Sequence, residues 1–220
     1  CGTSAHAGMV ARYWIEEIAR IPCAVDLASE FRYRNPVIGP NTLFITISQS
    51  GETADTLEAL RHAKTHKLAA SLVICNAPES SLVRESDIAL MTHAGPERSV
   101  ASTKAFTTQL MALALVTLLL ARRRGLSAEE EKRHVKSLMS ASAKVEQILE
   151  HDDKLKLLAE RLIHKQHALF LGRGTMFPVA LEGALKLKEI SYVHAEAYAA
   201  GELKHGPLAL VDEHMPVIAV

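Results

Sequence analysis

Between residues 47 and 56 the chain reads ISQSGETADT. The apolar run LFITIS, at 43–48, gives way to Gln49, Ser50 and Thr53 around Gly51, with Ser48 at the join. A helix-like run, ADTLEALRHAK, follows at 54–64. A strand entering a helix this way gathers peptide N–H groups at one point, and the helix start adds partial positive charge. Gly51 permits backbone angles that other residues resist. With three hydroxyls and one amide, the stretch reads as a neutral cradle for a dianion such as a phosphate monoester. The competing reading is ordinary capping by Ser50 or Thr53, with Glu52 in the first turn, which needs only one such residue. Neither the Walker A pattern nor GxGxxG occurs, which disfavours nucleotides. CGTS, at 1–4, places Thr3 and Ser4 at another helix start, either as a second wall of the same site or as simple caps.

A second group could move protons. Glu182, Lys186 and Glu189 are spaced i, i+4, i+7 and share one helix face. They make either a solvated charge stripe or part of a site. Downstream, AEAYAAGELKHGPLAL (195–210) carries Glu196, Glu202, Lys204 and His205 and reads as a long polar loop. Such loops are often functional. A glutamate and a histidine beside a sugar phosphate would suit general acid–base transfer. Eleven histidines are present, but no HExxH or comparable spacing, so no metal is expected.

The elements that must position these groups alternate. Helices are expected over 5–20 (ended by Pro22), 53–66, 102–122, 128–150, 152–164 and 178–193. Strands are expected at CAVDLA (23–28), TLFITIS (42–48), ASLVICN (70–76), IALMTH (88–93), HALFLG (167–172) and MPVIAV (215–220), with a short helix or turn at ESSLVRESD (79–87). SEFRYRNP, at 29–36, reads as a polar loop. The alternation implies an α/β fold, a parallel sheet flanked by helices. Ligands of such sheets bind outside the carboxyl ends of the strands. CGTS, SQSGET, THAGPERSVAST and GRGT all fall in loops of that kind. CGTSAHAG and GRGTMFPVALEG echo one another, as two similar halves would.

Net charge is zero, from 25 basic and 25 acidic residues, so there is no electrostatic footprint for nucleic acid or an anionic membrane. Aromatics, at 5%, are too few for a base-stacking surface. Three cysteines without a CxxC pair read as reduced thiols of a cytoplasmic protein. The longest apolar run, LMALALVTLLLA at 110–121, falls short of the about 20 residues a bilayer needs and reads as a buried helix. The chain opens without a strand before CGTS and closes on one, so a piece of a larger fold is expected.

CGTS, SQSGETADTL, VASTKAFTTQL, LGRG and ALEGALKLKEISYVHAEAYAAGELKHGPLAL occur in this order over nearly the whole chain. Together they resemble the isomerase half of the glutamine–fructose-6-phosphate aminotransferase family, within the wider SIS (sugar isomerase) family. The last motif is long and specific, whereas SQSGET alone would mark only the wider family. The resemblance implies a first SIS subdomain over 1–125 without its first strand, connecting helices over 126–165, and the start of a second subdomain over 166–220. It implies formation of glucosamine 6-phosphate from fructose 6-phosphate and ammonia, without a cofactor. By the same resemblance, Ser4, Ser48, Gln49, Ser50 and Thr53 would bind the phosphate, and Thr3, Val100 and Ser102 would line the sugar. Glu189 would carry the proton between C1 and C2, with Lys186 beside it. His205 would open the sugar ring, reaching into the site of the other subunit of a homodimer. Two parts of the family pattern lie outside the chain: the N-terminal glutaminase, and the C-terminal lysine that forms a Schiff base. Weak binding and no complete aminotransfer are therefore expected of this chain alone. A non-catalytic SIS sensor of sugar phosphates and a sugar-phosphate deglycase are the alternatives.

Overall fold

A computed structural model describes all 220 residues, which divide into two compact units. One comprises Cys1–Glu17 and Ile21–Thr117; the other comprises Ile18–Arg20 and Leu118–Val220.

The first unit contains α1 (Gly2–Trp14), α2 (Ala28–Phe31), β1 (Thr42–Ser48), α3 (Ala54–Lys64), β2 (Leu68–Cys75), α4 (Ser81–Glu85), β3 (Ile88–Met91) and the first part of α5 (Lys104–Arg123). Its sheet is parallel in the order β1-β2-β3. The central β2 buries Leu72, Val73, Ile74 and Cys75, as a strand covered on both faces must. Leu60 of α3 and Leu82 of α4 pack with Val73 and Cys75, backed by Phe44 and Leu57. The register pairs Ser48 with Cys75 and Cys75 with Met91, so the loops after all three strands leave the same sheet edge.

Several expectations change here. The helix over 5–20 begins at Gly2, and its last turn, Ile15–Ala19, widens to a π turn. CAVDLA is not a strand. It faces the free edge of β1 across a cavity of about 550 Å³, with Cys23–Asp26 on one side and Thr42–Ile47 on the other. A segment with no ladder partner in reach cannot count as one. SEFRYR is only partly a loop, because α2 buries Phe31 against Phe44, 5.3 Å between ring centroids, and against Ala59 and Ala63.

β3 is tied to β2 through one carboxylate. Asp87 Oδ2 accepts from the Ser71 N–H and hydroxyl, both at 2.7 Å, while the Asp87 N–H donates to Ser71 Oγ at 3.0 Å. The Ser71 hydroxyl, then its N–H and Lys64, hold the Asp87 carboxyl at about 2. That lies below the unfolded value of about 3.9. The contribution to stability is therefore complete above about pH 4 and disappears as pH falls towards about 2. Asp87→Asn should lower stability at neutral pH and flatten the acid limb of the curve, measured by urea denaturation from about pH 7 to 2. An unchanged acid limb would count against this role.

The second unit holds the end of α5, then α6 (Ala128–Met139), α7 (Ala141–Leu149), α8 (Asp152–Leu162), β4 (His167–Gly172), α9 (Met176–Ser191), β5 (His194–Ala199) and β6 (Val217–Ala219). α6 opens on a capping box, with Ser127 and Glu130 each satisfying the other's backbone N–H. The single helix expected over 128–150 breaks at Ser140. Its hydroxyl donates to the Ser137 carbonyl at 2.8 Å, the local competition with helical bonding that serine offers. The sheet is parallel in the order β5-β4-β6. α9 lies close over it because Gly183 faces the Phe170 ring; an added Cβ would come within 2.8 Å of that ring. The polar loop expected at 195–210 is largely ordered. Its first residues complete β5 along β4, and 3₁₀ turns follow at Ala200–Lys204 and Pro207–Leu210.

α5 has 20 residues and is long and apolar enough to cross a membrane by length and composition alone. The length argument drawn from residues 110–121 therefore does not hold for the helix actually formed. It buries Ala112, Leu113, Val116, Leu118 and Ala121, while Leu115 and Leu119 remain over half exposed.

Candidate functional site

Three distant segments converge at the carboxyl edge of the first sheet. Thr3 and Ser4 come from the first turn of α1, Ser48, Gln49, Ser50 and Thr53 from the β1–α3 loop, and Ser102 from the segment before α5. They line one small polar cavity of about 200 Å³, together with Cys1, Ile47 and Thr56. Val100 does not line this cavity and is 94% exposed.

The loop is organised from within. Ser48 is buried, and its Oγ accepts from the Gly51 N–H at 2.9 Å and lies 3.3 Å from Thr53 Oγ1. Ser50 Oγ accepts from the Glu52 N–H at 3.2 Å. Thr53 is the N-cap of α3, yet its side chain caps nothing. Capping therefore does not explain the hydroxyls gathered here. Gly51 takes a positive φ of 69°. Its carbonyl accepts from the Leu82 N–H at 3.1 Å, and the Glu52 carboxylate accepts from the Ser81 N–H at 2.8 Å. That bond, with one from the Ser81 hydroxyl, holds the Glu52 carboxyl below the usual range. Both contacts fix the loop to the start of α4.

In the second unit, α9 places Glu182, Lys186 and Glu189 on one face as their spacing requires. Lys186 Nζ lies 3.4 Å from Glu182 Oε1 and donates to Glu189 Oε2 at 2.6 Å. Exposure rises along the row, from 7% for the Glu182 side chain through 18% for Lys186 to 31% for Glu189. Glu182 is thus buried beneath Lys186, whereas Glu189, at the end of the row, is exposed. His205 follows the first 3₁₀ turn; its side chain is exposed, and its N–H donates to the Glu202 carbonyl at 2.9 Å.

The family model described as the SIS domain matches residues 1–119 and 161–220.

The chain belongs to the SIS domain family.

Over all 220 of its residues this SIS chain is 61% identical to glutamine–fructose-6-phosphate aminotransferase [isomerizing] of Escherichia coli K12 and spans 36% of that protein's length. The C-terminal domain of glucosamine-fructose-6-phosphate aminotransferase from Francisella tularensis matches it with a TM-score of 0.98 at 56% identity. That match covers all of this chain and 62% of the other. Glucosamine-6-phosphate deaminase from Thermotoga maritima matches with a TM-score of 0.80 at 28% identity, again over the whole chain and 65% of the other.

Sequence reasoning overlooked some members of the SIS cavity region. Thr56 lines the cavity from the first turn of α3. Ser80 and Cys75 back Gly51 from behind. Gln109, on α5, donates from Nε2 to Ser4 Oγ at 3.0 Å. Its signal was present in STKAFTTQLMALAL, an uncharged polar side chain in the buried stripe of an otherwise apolar helix.

Proposed function

We propose that this chain is the isomerase part of an enzyme that converts fructose 6-phosphate and ammonia to glucosamine 6-phosphate. The observation that carries the reading is the convergence of hydroxyls and an amide from three segments on one uncharged cavity at the carboxyl edge of a parallel sheet. Ser4, Ser48, Gln49, Ser50 and Thr53 hold the phosphate, and Thr3, Ser102 and the exposed Val100 border the sugar. Binding energy from the phosphate fixes the reacting carbons. Turning a ketose imine into an aldose amine requires a proton to leave C1 and one to arrive at C2. Glu189 is the base that makes this transfer, with Lys186 as its charged neighbour, and His205 assists ring opening from the other subunit of a homodimer. Ammonia comes from a glutaminase domain preceding this chain, and the enzyme works in the cytoplasm. Residues 1–125 are a first SIS subdomain without its first strand and residues 166–220 the start of a second, joined by the helices of 126–165.

The phosphate assignment is tested with Ser48→Ala combined with Thr53→Ala, in a full-length protein carrying this chain. Two lost bonds to a charged group should weaken fructose 6-phosphate by roughly 100-fold and leave unphosphorylated fructose nearly unchanged. Equal losses for both sugars would remove the phosphate from the site.

The likeness to the Thermotoga deaminase supports a second reading, hydrolytic release of ammonia from glucosamine 6-phosphate. Assaying the full-length protein in both directions, with and without glutamine, separates the two.

A further inference from the structure

Gln109 is 1% exposed and stands in the buried stripe of α5 with Ala105, Ala112 and Leu113. A leucine would fill that volume without any polar group. The chain instead buries an amide whose Oε1 has no hydrogen-bond partner, at a cost in free energy. The other end of the amide supplies the reason. Nε2 lies 3.0 Å from Ser4 Oγ, and Ser4 lines the uncharged cavity. An amide nitrogen can only donate, so the serine oxygen must accept there. The single hydroxyl hydrogen of Ser4 is then turned away from Gln109.

We infer that Gln109 is a positioning residue that aims the Ser4 hydroxyl into the cavity as a donor to the bound phosphate. This rests on the cavity being the phosphate site. The device works through polarity. With Gln109 donating, Ser4 cannot turn its hydrogen into the core and offer the anion only a repelling lone pair. If the amide were reversed, Oε1 would draw that hydrogen inward and Gln109 would oppose binding.

The experiment measures dissociation constants for fructose 6-phosphate and for fructose by calorimetry, in a full-length protein carrying this chain. Gln109→Leu should weaken fructose 6-phosphate about five- to tenfold and leave fructose unchanged. In a Ser4→Ala background Gln109→Leu should have no additional effect, because the group it orients is gone. Melting temperatures of the four proteins in this cycle show whether each is folded. An equal loss in both backgrounds would overturn the inference and make Gln109 a packing residue. Unchanged or tighter binding by Gln109→Leu would overturn it as well. If Ser48→Ala with Thr53→Ala fails to discriminate against the phosphorylated sugar, the site assignment itself falls. If that pair discriminates and the Gln109 cycle is additive, only the role of Gln109 falls.

Discussion

Glu189→Gln should lower turnover of fructose 6-phosphate to glucosamine 6-phosphate by about 10²- to 10⁴-fold, the contribution expected of a positioned acid–base group. Glutamine keeps the size and shape of glutamate but cannot accept a proton at neutral pH. Binding should change little, because the β1–α3 loop, the phosphate cradle of the proposed reading, belongs to the other unit of the chain. The fold should tolerate the exchange. Lys186 keeps Glu182 at 3.4 Å, so its ammonium is not left alone, and the new amide oxygen can still accept from it. The measurement is kcat and KM of a full-length protein, with the dissociation constant of fructose 6-phosphate alongside. Normal turnover would end the role given to Glu189. A rise in KM with kcat preserved would recast it as a binding residue.

Gly51→Ala should damage both stability and phosphate binding. The backbone at Gly51 has φ +69°, where a residue with a Cβ is strained by about 1–2 kcal/mol. Space is also lacking: the added carbon would lie 2.0 Å from Ser80 Oγ, 2.5 Å from Ser80 Cβ and 2.8 Å from Cys75 Sγ. Overpacking of a filled site costs a further about 1–3 kcal/mol. A total of about 2–5 kcal/mol is a large share of the about 5–15 kcal/mol that holds a typical domain together. The loop can avoid this only by moving, and movement breaks the Gly51 N–H bond to Ser48. Ser80→Gly removes two of the three clashing atoms. It should therefore restore part of the stability lost in Gly51→Ala while leaving the φ strain in place. Denaturation of the four proteins of that cycle gives both terms. A fully stable Gly51→Ala would show that the loop is looser than described.

How legible each part was depended on whether its cause was local. β1 and α3 follow from LFITIS and ADTLEALRHAK, because a β-branched run and a 3.6-residue period act within one element. The row Glu182, Lys186, Glu189 was equally plain, since spacing alone puts three residues on one face. The burial of Glu182 was not, because it depends on what covers α9. CAVDLA has the composition of a strand, but a strand also needs a neighbouring ladder, which composition does not report. Phe31 was hidden in a charged stretch, and its burial depends on Phe44 and the side of α3. The small and polar residues of AEAYAAG point to a loop, and pairing with β4 makes most of it a strand. In the cavity, the β1–α3 loop was legible because its hydroxyls crowd together in sequence. Gln109 was not, since Ser4, which it serves, lies 105 residues away.

The side chains lining the cavity include no lysine, arginine or histidine. In the proposed reading the phosphate is therefore recognised on contact, by hydrogen-bond direction and fit, and is not drawn in from a distance. The chain as a whole has equal numbers of acidic and basic residues, so its net charge adds no long-range pull. Dissolved salt shortens the reach of electric fields from about 30 Å at 0.01 M to about 8 Å at 0.15 M. Here it finds little field to screen. Encounter is left to ordinary diffusion, the hold on the sugar is set by how slowly it leaves, and affinity stays nearly level from dilute buffer to physiological ionic strength.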